Sequence, residues 1–287
     1  MNKLFDTGAY GCIYYPGIDC KGNRIDENMV SKIVNDSDAQ HELGISKLIK
    51  KIKNYQNHFL PVESFCNVKQ NLPIVKCNAI KHHSKFKILY IPFKETLDTT
   101  YDFKTLYHTL LQSIQLLIQH KIVHFDIKQG NILLSDKPYI LDFNLSFSMK
   151  NIMANLENSF YKYQPSYYYW PLEIHFLCYR VNHGPVTPTV VTQTCTEFVK
   201  HHKMLQKLSA RFIQEYIDGS IRHFSSLSSK DFIQSCIQSW KTWDNYALLI
   251  YMFESGHSIP PIFLKNIHYL PKERLSVSYC LTATSTS

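Results

Sequence analysis

No stretch of this sequence is apolar and uninterrupted for long enough to cross a bilayer, and no secretory leader opens it. Neither a membrane-spanning helix nor a signal peptide is therefore expected, and the chain reads as soluble. No block of five or more Lys or Arg occurs, although the formal charge is +8. Dispersed charge of this kind fits a solvated surface with a basic cleft better than a nucleic-acid site. No C-x-x-C pair and no Cys/His spacing suited to zinc is found among the eight cysteines, Cys12, Cys20, Cys66, Cys77, Cys178, Cys195, Cys236 and Cys280. They read as reduced, mostly buried thiols of a cytosol-like compartment. Internal repeats and low-complexity linkers are missing too. Charged residues are 19% and hydrophobic residues 45% of 287 positions. That balance excludes a disordered chain and leaves a globular one with a sizeable core, either one two-lobed domain or two small ones.

What is present centres on Val123-His124-Phe125-Asp126-Ile127-Lys128-Gln129-Gly130-Asn131-Ile132-Leu133-Leu134. An acid, a cation and an amide stand in a short polar run bracketed by strand-forming residues. Eleven positions after Asn131 a second acid follows, in Ile140-Leu141-Asp142-Phe143. Asp126 with Lys128 can handle a hydroxyl nucleophile and a negatively charged group. Asn131 with Asp142 offers oxygen ligands to a hard cation such as Mg²⁺. Phosphoryl transfer asks for these parts, because its catalysis is positioning plus charge stabilisation.

The run resembles the catalytic loop of eukaryotic-type protein kinases, H-R-D-x-K-x-x-N, followed by a D-F-G-like metal site. Phe125 stands where the family has Arg, and Asn144 where it has Gly. Further matches follow the family's order along the chain. Gly8-Ala9-Tyr10-Gly11-Cys12-Ile13 lies between strand-forming residues. A plain β-turn would account for it alone, but ahead of the catalytic run it resembles the glycine-rich loop, with backbone N–H groups of Gly8 to Gly11 and the side of Ile13 facing nucleotide. The first glycine of that loop is replaced by Asp6. Residues 16–28 are rich in turn formers and precede a strand, Met29-Val30-Ser31-Lys32-Ile33-Val34. A Lys among β-branched residues needs an anionic partner if the strand is buried. By resemblance Lys32 is the ligand of the α- and β-phosphates, and Glu42, on a helix opened by a Ser37-x-x-Gln40 capping box and running to about Lys53, is its ion-pair partner. An outward edge Lys and a solvated helix Glu are the plainer alternatives.

Strands are expected over 59–66 and 86–91, a hinge over 92–95, and a long helix from Asp102 to His120 with an apolar stripe. The segment 145–170 resembles an activation segment ending in Trp170-Pro171-Leu172-Glu173, a variant of A-P-E. Its tyrosines read as packing groups more readily than as phosphoacceptors. Residues 175–230 depart from a compact kinase and read as an insertion, with a helix from about Thr196 to Asp218 stopped by Gly219. A partner surface or simple local packing are both open there. Near the end, Asp244 resembles the anchor of the catalytic-loop backbone, and Arg274 the partner of Glu173.

These matches span nearly the whole chain. The resemblance implies an α+β, two-lobed fold over residues 1–281: a small antiparallel-sheet N-lobe over about 1–91, and a mainly helical C-lobe over about 96–281. A disordered tail is expected over 282–287. It implies a serine/threonine protein kinase using ATP and Mg²⁺. Asp126 and Lys128 are catalytic, Asn131 and Asp142 hold metal, and Lys32 with Glu42 fixes the nucleotide. A protein is the substrate, with no nucleic-acid or membrane partner and a monomeric chain. The Trp-Pro-x-Glu ending and the Asn57-to-Cys66 stretch look like kinases of large cytoplasmic DNA viruses, which implies the host cytoplasm or the virion. The rival readings are a pseudokinase serving as a nucleotide-binding or scaffold module, favoured by Asp6, Phe125 and Asn144, and a small-molecule or lipid kinase.

Overall fold

The computed structural model describes residues 3–7, 11–68, 77, 85–97, 100–228 and 231–285. Gly8, Ala9 and Tyr10 of the expected glycine-rich loop lie outside them. The fold is α+β, with a small antiparallel sheet and a mainly helical remainder. Two compact units form: Met1–Thr99 with Leu133–Ser146, and Thr100–Ile132 with Phe147–Ser287. This differs from a single cut near 92–95, because the strand and turn that carry Asp142 belong to the first unit. Among the described residues no helix is long and apolar enough to cross a membrane.

The first unit is a five-stranded antiparallel sheet ordered β1-β2-β3-β6-β5. The strands are β1 (Lys3–Thr7), β2 (Gly11–Tyr15), β3 (Met29–Asn35), β5 (Ser64–Asn67) and β6 (Phe86–Pro92). A short β4 (Phe59–Leu60) pairs in parallel with β9 (Pro138–Leu141). Strand side chains alternate between faces, so β3 sorts its own residues. Ile33 goes to one face with Cys12, Tyr14, Ile18, Cys77 and Ile88. Val34 goes to the other with Leu89 of β6, Val62, and Ala39 of helix α1 (Asp36–Ile49). Lys32 shares parity with Val34 and is therefore carried to the helix-covered face. Gly11 pairs with Val34 in the ladder, and a Cβ there would collide with the Ile33 carbonyl. Close strand packing thus already requires that glycine.

Two expectations are corrected here. The cap of α1 is Asn35, whose side chain accepts the Asp38 N–H at 2.9 Å, and not Ser37. The helix also ends at Ile49. The cysteines are not all thiols: Cys12 pairs with Cys77 and Cys20 with Cys66, at Cα separations of 5.8 and 6.0 Å. Sheet packing brings these partners together from 65 and 46 residues away, a proximity that no local spacing encodes. The other four are free and buried, and burial pushes the Cys178 and Cys195 thiols up to about 12.

The second unit is built on two core helices. Helix α2 (Phe103–Gln119), capped by Asp102 through the Thr105 N–H at 2.9 Å, buries Leu106, Leu110, Ile114 and Leu117 as their three- and four-residue steps dictate. Helix α8 (Trp243–Glu254) is buried on every side from Trp243 to Met252, as a helix through the middle of a core must be. They pack together, and the terminal helix α9 (Val277–Ser285) packs on α2. That helix replaces the expected disordered tail through Ser285: Cys280 and Thr284 are buried, and Thr284 reaches His108 at 2.8 Å.

Between them lie α4 (Leu172–His183), α5 (Pro188–His201), α6 (Ala210–Ser226) and α7 (Phe232–Ile237). The single helix expected over 196–218 is two. Thr187 caps α5 with Pro188 in its first turn, and Ser209 caps α6 through the Phe212 N–H. His202 sits buried in the break, bonded to Tyr246 at 2.8 Å and to the Leu205 N–H at 3.2 Å. Gly219 does not stop a helix. It lies inside α6, where a Cβ would strike the Tyr269 ring.

Glu173 and Arg274, paired by expectation across 101 residues, form a bidentate ion pair with both side chains fully buried. Trp243 Nε1 and the Ser239 hydroxyl also donate to Glu173, and Arg274 Nε donates to the His268 carbonyl at 2.9 Å. Removing one partner of such a pair strands a buried charge, whereas removing both does not. Arg274→Met should therefore lower unfolding free energy by about 3–5 kcal/mol in urea melts, and the double variant with Glu173→Gln should recover most of it. A single variant as stable as wild type would show that the pair holds nothing.

Candidate functional site

The candidate residues fall into two groups, one on each unit. In the first unit, Lys32 Nζ stands 3.0 Å from Glu42 Oε2, 3.2 Å from Glu42 Oε1 and 2.8 Å from Asp142 Oδ1. The alternation of β3 aims the lysine at the α1 face, and Glu42 lies one turn beyond Ala39, which packs on that same face. Lys32 and Glu42 are buried, and the Asp142 side chain is about one-third exposed (33%). Burial alone would lower the Lys32 pKa; the Glu42 and Asp142 carboxylates outweigh it and hold the ammonium above its ordinary value. Ile13 is the ladder partner of Lys32 on β2, so the two share a face.

Asp142 follows β9 with φ 63°, the left-handed region that Asp tolerates better than most residues. Its Oδ1 accepts the Asn144 N–H at 3.3 Å, a side-chain turn of the kind Asp forms two residues on. Phe143 is buried edge-on to Phe59 at 6.0 Å, and His41 Nε2 donates to the Ser146 carbonyl at 2.8 Å. The turn is thus fixed from three sides. Asn144 does not take the left-handed angle; Asp142 does.

In the second unit, Asp126, Lys128 and Asn131 come together. Asn131 Nδ2 donates to the Asp126 carbonyl and to Asp126 Oδ2, both at 2.8 Å, and Lys128 Nζ is 2.8 Å from the same Oδ2. The Asn131 amide nitrogen is thereby committed to Asp126. Amide and carboxylate oxygens are hard donors of the kind Mg²⁺ takes; Asn131 belongs to the second unit and Asp142 to the first. Among the described residues no group of three or more His, Cys, Asp or Glu converges.

The loop itself is held from below. Asp244, buried at the start of α8, accepts the His124 N–H at 2.8 Å and the Phe125 N–H at 2.9 Å. Burial pushes this carboxyl up, and the two N–H donors pull the other way. Phe125 takes φ 70°, a left-handed angle strained for an aromatic residue by about 1–3 kcal/mol. Its ring is clasped by Trp170 at 4.5 Å, Phe147 at 4.9 Å, Phe160 at 5.9 Å and Trp243 at 6.2 Å. Trp170 Nε1 also donates to the Phe125 carbonyl at 2.7 Å. An arginine here would carry its charge into an aromatic nest.

The segment 145–170 is ordered largely through its aromatics. Tyr163 bonds Thr194 at 2.8 Å, and Tyr168 and Tyr169 both donate to Glu254, which also pairs with Lys203 at 2.7 Å. Tyr161 is exposed. Tyr167 is the residue that sequence reasoning passed over: its hydroxyl donates to Asp126 Oδ1 at 2.5 Å. It stands among four other tyrosines, and nothing local singles it out.

No protein-family model matches this chain, and no curated protein matches it.

The strut at Asp244 makes a sharp expectation. Asparagine offers one oxygen where the loop needs two acceptors, and its NH₂ would face an N–H. Asp244→Asn should cost about 2–3 kcal/mol of stability, since hydrogen bonds to charged groups are worth ~1.5–3 kcal/mol each. Hydrogen exchange should find the His124 and Phe125 amides deprotected. Amides that exchange as slowly as in wild type would mean the loop holds its shape without the strut.

Proposed function

We propose that this chain is a serine/threonine protein kinase with a two-lobed kinase fold, the first unit being the small lobe and the second the large one. The observation that carries the reading is Lys32, held between Glu42 ten residues on and Asp142 110 residues on. A buried strand lysine shared by a helix carboxylate and a left-handed turn carboxylate is a poor structural bargain unless a polyanion is to replace one of them. The ordered Asp126, Lys128 and Asn131 group supports the same reading.

The roles follow from the chemistry of each side chain. Lys32, steadied by Glu42, takes the α- and β-phosphates of ATP. Asp142 and the Asn131 amide oxygen would hold Mg²⁺, which when bound would supply charge neutralisation on the phosphates. Asp126 orients the acceptor hydroxyl and takes its proton. Lys128, whose side chain is 39% exposed, stabilises charge on the group being transferred. The γ-phosphorus gains a bond to the acceptor oxygen as its bond to the ADP oxygen breaks. The same reading makes the chain a relative of kinases carried by large cytoplasmic DNA viruses, acting on a protein in the host cytoplasm or the virion.

Purified protein given Mg·ATP and a generic basic protein should yield phosphoserine or phosphothreonine. Asp126→Asn should cut the rate by about 10²–10⁴-fold, the usual worth of a general base. Asp142→Ala should abolish transfer and remove the Mg²⁺-dependent part of the ATP-induced melting shift. Lys32→Met should cut activity by orders of magnitude, and Glu42→Gln by less, because Glu42 positions and does not touch phosphate. A wild-type protein that shows a full Mg·ATP melting shift yet transfers nothing would make the chain a nucleotide-binding module.

A further inference from the structure

We propose that Tyr167 is a positioning residue for phosphoryl transfer: its hydroxyl fixes the Asp126 carboxylate in its working orientation. The proposal rests on the phosphotransfer reading above and adds a residue to it.

A carboxylate on one sp³–sp² torsion turns over a broad range when nothing holds it. Here each oxygen of Asp126 has its own holder. Oδ2 receives Asn131 Nδ2 and Lys128 Nζ, both at 2.8 Å and both from the same loop. Among the described residues, Oδ1 receives a group from outside that loop, the Tyr167 hydroxyl at 2.5 Å. That distance falls in the short range of charge-assisted O–H to carboxylate bonds, which are about twice as strong as neutral ones. The phenol therefore removes the torsional freedom that the loop's own two donors, both on one oxygen, leave behind.

Tyr167 is itself placed by rigid groups. Its ring meets Trp170 edge-on at 5.1 Å and lies 5.7 Å from Tyr169. Its N–H donates to the Gln164 carbonyl at 2.9 Å, and its own carbonyl accepts the Trp170 N–H at 3.2 Å. Trp170 in turn donates to the carbonyl of Phe125, the residue just before Asp126. One indole thus sets both the backbone leading into the catalytic carboxylate and the phenol that orients it. With two donors on Oδ2 and one on Oδ1, the acceptor position left for an incoming hydroxyl is the second one on Oδ1.

The test is Tyr167→Phe, which deletes one oxygen and keeps the ring, assayed beside wild type and Asp126→Asn with Mg·ATP and a generic basic protein. A carboxylate displaced by a fraction of an ångström should lower kcat about 10- to 100-fold. The KM for Mg·ATP and the melting temperature should stay at wild-type values, a split that a merely structural role would not produce. Wild-type kcat in the variant overturns the proposal and leaves the kinase reading standing. A raised kcat/KM for the acceptor protein overturns it as well, because Tyr167 would then be an occupant that substrates must displace. Phosphate found by mass spectrometry on Tyr167 of the wild-type protein overturns it by making the phenol an acceptor. No transfer by wild-type protein removes both this proposal and the reading beneath it.

Discussion

A buried carboxylate that accepts two consecutive backbone N–H groups is the constraint on which the second unit turns. Asp244 is placed by a helix with no exposed side over its first ten residues, so it cannot retreat. Its two bonds hold His124 and Phe125 in a conformation the chain would not choose, with Phe125 in the left-handed region. Strain of that kind persists only where the surroundings over-determine it. Here they do so three times: through the carboxylate, through the Trp170 bond to the Phe125 carbonyl, and through the ring cluster around Phe125. Asp126, Lys128 and Asn131 inherit their positions from this arrangement.

The buried charges share a common logic. Lys32 has two carboxylates, Glu173 has a guanidinium and two neutral donors, and Asp244 has two amides. A buried charge without partners would cost several kcal/mol. The Glu173–Arg274 pair is symmetric and closed, with both side chains fully buried and further bonds consumed on each side. The Lys32 group is asymmetric, with one carboxylate buried beside it and the other partly in solvent. A closed pair holds structure, whereas an open one can exchange a partner.

Much of this was legible in the sequence where pattern is local or where a motif has fixed spacing. The stripe of α2 comes out of residue order, and the pairing of Lys32 with Glu42, the Asp244 anchor and the Glu173–Arg274 pair come out of the resemblance to the kinase motifs. What the sequence hid depends on tertiary proximity. The disulfides join strands and loops far apart in the chain. The break at 202–209 interrupts an apolar stripe that stays in phase on either side, so periodicity alone reads one helix. Gly219 looks like a stop until the Tyr269 ring is found against it. Asn35 outcompetes Ser37 as the cap, and the two are too alike chemically to separate by eye. Tyr167 was invisible because its partner lies 41 residues away and its neighbours are tyrosines too.

The aromatic clasp on Phe125 has a bearing on how such a loop would be governed. A segment ordered by a phosphate is governed by whoever adds or removes that phosphate, and salt weakens its grip. A segment ordered by indole and phenyl rings answers to neither. Its order rises and falls with temperature and with whatever competes for apolar surface, so control over it passes from enzymes that edit charge to molecules that can wedge between rings.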